Sequence, residues 1–149
     1  QGFSIDELAQ WIIDNRLHLC HVFTVDDLKY LHRGGRVSKT AAIAGSILGI
    51  KPLLHVDNEG HLIPVGKIRG RKQSIEKLVD MMCERMGNWD NSTVAVCHGD
   101  CLSDAEYAAD LMRRKLGKKT TVHICYTGAV IGSHSGPGTL ALFFMGDQR

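Results

Sequence analysis

One stretch in the second half of the chain constrains the fold more than any other. Residues 93–97 and 121–125 share the pattern Thr-Val-x-Val/Ile-Cys, and residues 103–116 between them have the spacing of a helix. Ser103 and Glu106 are placed to form a capping box at the start of that helix. Two strands joined in this way lie parallel in one sheet, with a right-handed crossover. The sequence therefore predicts one βαβ unit.

The rest of the chain supplies short helices and strands in alternation. The first half is predicted to begin with a helix that is capped by Ser4 and Glu7 and ends near Asn15, followed by a strand at 19–23. A helix at 24–31, ended by Gly34-Gly35, and a small-residue helix at 38–48 come next. We then predict a hairpin at 51–68 with its turn at 57–60, a helix at 74–86 and, at the end of the chain, a last strand at 139–144. Pro52 and Pro64 have to lie at a sheet edge or a bulge. The order predicts one α/β domain over residues 1–149, a two-layer α/β sandwich with a mixed sheet, one hairpin and one βαβ unit.

Composition narrows the class of protein. The chain has 149 residues, 23% of them charged, and a net charge of +2, which is too small to indicate a nucleic-acid partner. Its five cysteines are odd in number and irregularly spaced, so we expect free thiols in a reducing, cytoplasmic compartment. The longest weakly polar run, residues 41–50, is too short to cross a bilayer, which needs about 20 apolar residues.

The glycine-rich segment at residues 128–138 is the most informative candidate site. It lacks the Gly-Lys-Ser/Thr of a Walker loop, and we predict a strand after it where a dinucleotide-binding fingerprint needs a helix. It holds His134, whose imidazole can donate a hydrogen bond to an oxyanion, among glycines that let a ligand come close. The alternative is a tight turn with a surface histidine, and these residues alone leave both interpretations open.

Two basic segments are weaker candidates. Arg36 follows Gly34-Gly35 and precedes the small-residue helix, where a guanidinium can hold a carboxylate through paired hydrogen bonds. Arg69 belongs to a run of four cations at residues 67–72, which can meet an acidic partner surface. The alternative for both segments is a solvated basic loop.

The cysteines allow a different class of function. Cys97 and Cys101 flank a histidine and an aspartate, but their spacing matches no common zinc pattern, so we expect no metal. A buried Cys97 and Cys125 at strand ends would act as small hydrophobic residues. A small hydrolase or transferase that uses His134 with a cysteine remains the alternative, although no motif pairs the two.

Taken together, the segments resemble the DegV family over nearly the whole chain. The matching runs are Phe23-Thr-Val-Asp-Asp-Leu28, Tyr30-Leu31, Gly34-Gly35-Arg36-Val37-Ser38, Leu48-Gly49-Ile50-Lys51-Pro52, Gly66-Lys67-Ile68-Arg69-Gly70 and Gly128-Ala-Val-Ile-Gly132-x-His134-x-Gly136-Pro137-Gly138. Each run is modest alone, but their order and spacing are specific. The resemblance implies a bacterial protein of two domains that binds a long-chain fatty acid in a tunnel between them. It also implies a role as the binding subunit of a fatty acid kinase, not as an enzyme.

The resemblance also implies roles for individual residues. His134 falls on the carboxylate ligand, with Gly136 and Gly138 beside it, and Arg36 is expected to support that polar end. Arg69 is expected to face the catalytic subunit of the kinase, and the helix at 38–48 to line the tunnel. No cofactor or metal is implied.

The start of the chain adds one expectation. Gln1-Gly2 precede a helix with no initiator Met, and nothing in the sequence matches the family's N-terminal domain, so we expect a fragment that carries the family's C-terminal domain. Such a fragment should bind fatty acid poorly and can dimerise through an uncovered apolar face. We expect no nucleic-acid partner and at most transient contact with a membrane surface.

Overall fold

The computed structural model describes residues 2–38, 49–147 and 149. The strands are β1 (Leu19–Thr24), β2 (Ile50–Val56), β3 (Leu62–Arg69), β4 (Thr93–His98), β5 (Thr121–Tyr126) and β6 (Leu140–Met145). The helices of this part of the chain are α1 (Ile5–Asn15), α2 (Lys29–Arg33), α3 (Arg71–Arg85), α4 (Leu102–Leu116) and α5 (Ala129–Ser135).

The six strands form one mixed sheet in the order β3-β2-β1-β6-β4-β5. β4 and β5 are parallel and in register from Thr93 opposite Thr121 to His98 opposite Tyr126, whereas the other neighbouring pairs are antiparallel. The predicted βαβ unit and hairpin are therefore confirmed, together with the α/β class. Pro64 lies in edge strand β3, opposite the irregularity between Leu53 and Leu54, where its missing N–H costs least.

One face of the sheet is covered by α3 and α4, which pack on the strands and on each other. Alternate strand residues point into this layer because successive side chains of a strand lie on opposite faces. Val22, Val96 and Leu142 come from neighbouring strands and are completely buried against helix residues such as Leu78 and Met112. This layer is the main hydrophobic core.

Among the described residues, the opposite face carries a small cluster and short helices. Phe23, Leu31 and Leu54 belong to that cluster, with Ala141 partly buried beside it. α2 and α5 pack against each other, and no other helix of the described residues covers this face. In the described part of the chain, the sheet thus has one face closed by helices and one open face.

The observed start of α1 agrees with the prediction, whereas the starts of α2 and α4 differ from it. α1 has the predicted capping box between Ser4 and Glu7. α2 begins at Lys29 and not at Thr24, because Thr24 continues β1 into the sheet. The capping box predicted for Ser103 is wrong, since α4 begins at Leu102, with Cys101 at its N-cap and no side-chain cap.

Two further regions bear on the expectations. The predicted small-residue helix at 38–48 lies almost entirely outside the described residues, so its place relative to the sheet stays a prediction.

α1 has a helical apolar pattern but no buried residue, and Ile5 and Ile12 are more than half exposed. Periodicity predicted the helix there, although none of its residues is buried.

Candidate ligand-binding site

A cavity of about 390 Å³ lies on the open face of the sheet. Its floor is formed by side chains of β1 and β6, among them Phe23, Ala141 and Phe143, and α5 contributes Val130 and Ile131 to its wall. Val130 and Ile131 are mostly exposed, which is unusual for large apolar side chains in a short helix. The volume falls within the roughly 300–1,000 Å³ typical of small-molecule sites.

The structure brings Arg36 and His134 to one end of this cavity. Both meet at Gly34, the residue that ends α2. The Arg36 guanidinium donates a hydrogen bond to the Gly34 carbonyl, and the His134 ring lies against the Gly34 Cα so closely that a Cβ there would overlap Nδ1. Gly34 thus lets a cation and an imidazole from distant parts of the chain approach each other.

The segment predicted as a glycine-rich loop is partly a helix. Residues 129–135 form α5, and His134 lies in its last turn, so the interpretation of the segment as a loop is wrong. The error came from treating glycines as loop residues, although Gly132 is helical and its carbonyl accepts the Gly136 N–H. A helix gives His134 a more fixed position than a loop would.

Gly136 and Gly138 are buried and have φ angles of 79° and 76°, which non-glycine residues rarely adopt. A Cβ on Gly136 would overlap the ring of Tyr30 in α2, and one on Gly138 would overlap Asp26. The Gly138 N–H donates to the Gly99 carbonyl over 2.7 Å. These glycines hold α5 against α2 and anchor the turn to the end of β4. Their predicted contact with a ligand stays a prediction.

Sequence reasoning missed a further polar group in the cavity lining. Thr127 follows β5 and lines the cavity, and its buried Oγ1 has no hydrogen-bond partner among the described residues. A hydroxyl can donate to a carboxylate, and leaving it unpaired in a buried place costs about 1–3 kcal/mol. Its position after the carboxyl end of a parallel strand, where ligands of open α/β sheets bind, was the available signal.

A second histidine lies on the floor of the cavity. His21 of β1 stacks edge-on against Phe143, with ring centroids 5.0 Å apart. Burial, together with the nearby positive charge of Arg149, lowers the pKa of His21 to about 4. His21 is therefore neutral at neutral pH, which suits an apolar surface.

The enzyme alternative receives no geometric support. Cys97 lines the cavity with His134, but its thiol contacts the thiol of Cys125, at 2.7 Å between the Sγ atoms. Burial and this neighbour raise the pKa of Cys97 to about 12, which disfavours a nucleophilic thiolate. No hydrogen bond joins His134 to a cysteine within the described ranges.

The residues flanked by Cys97 and Cys101 do not converge as metal ligands. Cys101 instead faces the Thr139 carbonyl, and its N–H donates to Nδ1 of His98. Of the residues that the structure describes, Asp57, Glu59 and His61 are grouped closely enough to hold an ion, on the hairpin turn. Asp57 is occupied there in accepting the amides of the other two.

The basic run at residues 67–72 divides into different environments. Arg71 lies in the first turn of α3 and is paired with Asp104 at 2.8 Å, and Lys72 lies over the ring of Tyr107. Arg69 is exposed at the end of edge strand β3 and forms no ion pair with the described residues. Arg69 is therefore placed on the surface and outside the lining of the cavity.

Fold and site together define an α/β domain with a cavity that has an apolar floor and one polar end. A family model described as "Uncharacterised protein, DegV family" matches residues 1–147, and this chain belongs to the DegV family. A DegV domain-containing protein of Clostridium perfringens is 47% identical over 148 residues, which are 99% of this chain and 50% of that protein. A relative from Streptococcus pyogenes is 42% identical over 85% of this chain and 43% of its own length.

Solved structures show the same fold. A fatty acid binding DegV family protein from Streptococcus agalactiae has a TM-score of 0.81 at 29% identity, covering 99% of this chain and 51% of that one. A DegV lipid binding protein from Thermotoga maritima has a TM-score of 0.78 at 30% identity, with the same coverage. The chain thus spans about half the length of the relatives it matches. In its described part, no helix is long and apolar enough to cross a membrane.

Proposed function

We propose that this chain contributes one wall of a binding site for a long-chain fatty acid. The observation that carries the proposal is the meeting of Arg36 and His134 at Gly34, at one end of a mostly apolar cavity. A carboxylate fits this polar end, and Thr127 offers a further donor in the cavity lining. Fatty acid and lipid binding by the Streptococcus agalactiae and Thermotoga maritima relatives supports this ligand class.

The acyl chain is proposed to lie along the open face of the sheet. Phe23, Phe143 and Ile131 supply apolar surface there, and each buried methylene contributes about 0.8 kcal/mol. Because the cavity is open on one side, we propose that the further half present in the relatives closes it. The 149-residue chain should then bind a fatty acid more weakly than a protein that contains both halves.

The proposed role is that of a carrier and not of an enzyme. The bound carboxylate would be presented to the catalytic subunit of a fatty acid kinase, and Arg69 on the edge of the sheet would contact that partner. Support for the carrier role comes from the high pKa of Cys97 and from the lack of a hydrogen bond between His134 and a cysteine among the described residues.

Replacement of His134 tests the ligand class. His134→Ala should weaken binding of a fatty acid by about one to two orders of magnitude, because a hydrogen bond to a charged group contributes roughly 1.5–3 kcal/mol. A fatty alcohol of equal length should lose much less. Isothermal titration of both ligands measures this, with His123→Ala, an exposed histidine outside the cavity lining, as the matched control. An equal loss for acid and alcohol would show that His134 shapes the wall without holding the carboxylate.

Arg69→Ala tests the partner surface. Fatty acid affinity should stay unchanged, while fatty-acid-dependent ATP consumption by the kinase subunit should require roughly tenfold more carrier, the loss expected for one interfacial charged contact. Arg114→Ala, an exposed arginine on α4 at the closed face, is the control and should change neither quantity. Lost lipid affinity with unaltered kinase coupling would reverse the assignment.

A further inference from the structure

A pair of cysteines lies on the open face, and one of them, Cys97, lines the cavity. Cys97 of β4 and Cys125 of β5 are directly opposite in the parallel ladder. Adjacent strands lie about 4.8 Å apart, and disulfides join Cα atoms about 4.4–6.8 Å apart. The two Sγ atoms already lie 2.7 Å from each other.

The two thiols differ in access. Cys125 is exposed on β5, the edge strand of the sheet, whereas Cys97 is partly buried in the cavity floor. Of the other cysteines, Cys20 is buried, Cys83 lies against the closed-face core, and the Cys101 thiol contacts the Thr139 carbonyl. Burial raises the pKa of Cys20, Cys83 and Cys101, so those thiols react slowly.

We propose that Cys97 and Cys125 form a thiol oxidation site that a hydroperoxide converts into a disulfide between β4 and β5. Cys125 is the attacking residue because it is the exposed member of the pair, and Cys97 is the resolving residue because it is held behind it. The proposal does not depend on the identity of the lipid.

The chemistry balances with hydrogen peroxide as the oxidant. The Cys125 thiolate attacks one peroxide oxygen, the O–O bond breaks, and the departing hydroxide takes a proton to become water. Burial raises the pKa of Cys97, but its sulfur already lies 2.7 Å from that of Cys125 and can attack the sulfenic sulfur directly. The S–O bond then breaks, and the oxygen leaves as a second water with the Cys97 thiol proton. The two cysteines lose two electrons, and the peroxide is reduced to two waters.

Intact-protein mass spectrometry of the full chain treated with hydrogen peroxide tests the proposal. Wild type should lose two hydrogens, recover them with dithiothreitol, and give one cross-linked peptide that joins Cys97 to Cys125. Cys125→Ser should abolish the loss, and Cys97→Ser should leave a sulfenic acid on Cys125 that dimedone captures. Cys83→Ser is the matched control and should behave like wild type.

Two results would overturn the proposal. One is a wild-type protein that keeps its hydrogens, or oxidises Cys125 beyond sulfenic acid without a cross-link. The other is a cross-link to Cys101 or Cys83. Neither result bears on lipid binding, since a fatty acid titration of the reduced protein is measured separately.

Discussion

The two faces of the sheet are built from alternate residues of the same strands, yet they are covered very differently. Leu142 of β6 is completely buried beneath the helix layer of α3 and α4, while the next residue, Phe143, lines a cavity on the open face. Side chains of similar hydrophobicity thus form the core on one face and line a cavity on the other. Cover by helices, and not residue type, distinguishes the two roles.

The difference has an energetic reason. A closed face is packed densely, so its side chains make most of the contacts that stabilise the fold. An open face keeps apolar surface in contact with water until something covers it, which leaves free energy available for binding. The exposed Val130 and Ile131 beside the cavity fit this second case.

Truncation of neighbouring residues in β6 gives the largest expected effect. Leu142→Ala should lower the free energy of unfolding by about 2–5 kcal/mol, as a cavity forms in a packed core. Phe143→Ala should cost much less stability but weaken binding of a fatty acid. Urea denaturation and lipid titration of both variants measure the contrast. Equal losses of stability would mean that the open face is as much a part of the core as the closed one.

A methyl group at Gly34 tests the polar end of the open face. Gly34→Ala should displace the His134 ring, cost about 1–3 kcal/mol through overpacking, and weaken fatty acid binding more than fatty alcohol binding. Gly128→Ala is the matched control, since Gly128 also lines the cavity but a Cβ there meets open space. If Gly34→Ala binds the acid like wild type, the contact with Gly34 does not position His134 for the carboxylate.

Lowering the pH should reduce the stability of the fold because His21 is partly buried. This is the smallest of the three expected effects. The pKa of His21 is about 4 in the folded state against an ordinary 6.5, so the unfolded state binds the proton more readily. The contribution of neutral His21 to the free energy of unfolding is therefore complete above pH 6.5. It is lost as the pH falls toward 4 and does not change further below that. Since the side chain is partly exposed, solvent screening reduces the contribution to about 1–2 kcal/mol.

Denaturation curves at several pH values compare wild type with His21→Gln. The variant should lose part of the pH-dependent slope between 6.5 and 4, and His123→Gln, an exposed histidine on β5, should keep all of it. The part that remains in His21→Gln comes from His55, whose pKa is also lowered by burial. A slope unchanged from wild type in His21→Gln would show that His21 does not contribute to it.

Much of the fold follows from local pattern. The βαβ unit at residues 93–126 and the hairpin of β2 and β3 were predictable, because strand alternation, helix spacing and turn residues act over short distances. Glycine misled the prediction for α5, since its freedom was interpreted as a loop where neighbouring residues completed a helix. The start of α2 was also misplaced, because sheet pairing holds Thr24 in β1.

The sequence by itself determined most of the helices and strands and the α/β class, and its resemblance to a family pointed to Arg36 and His134 as candidate site residues. Only the tertiary structure decided that these two side chains meet at Gly34, that Thr127 lies beside the same cavity, and that Cys97 faces Cys125. The physical reason is the separation along the chain over which each effect acts. Propensity and periodicity act between residues a few positions apart, whereas a site is assembled by sheet order and strand register, which bring together residues that are distant along the chain.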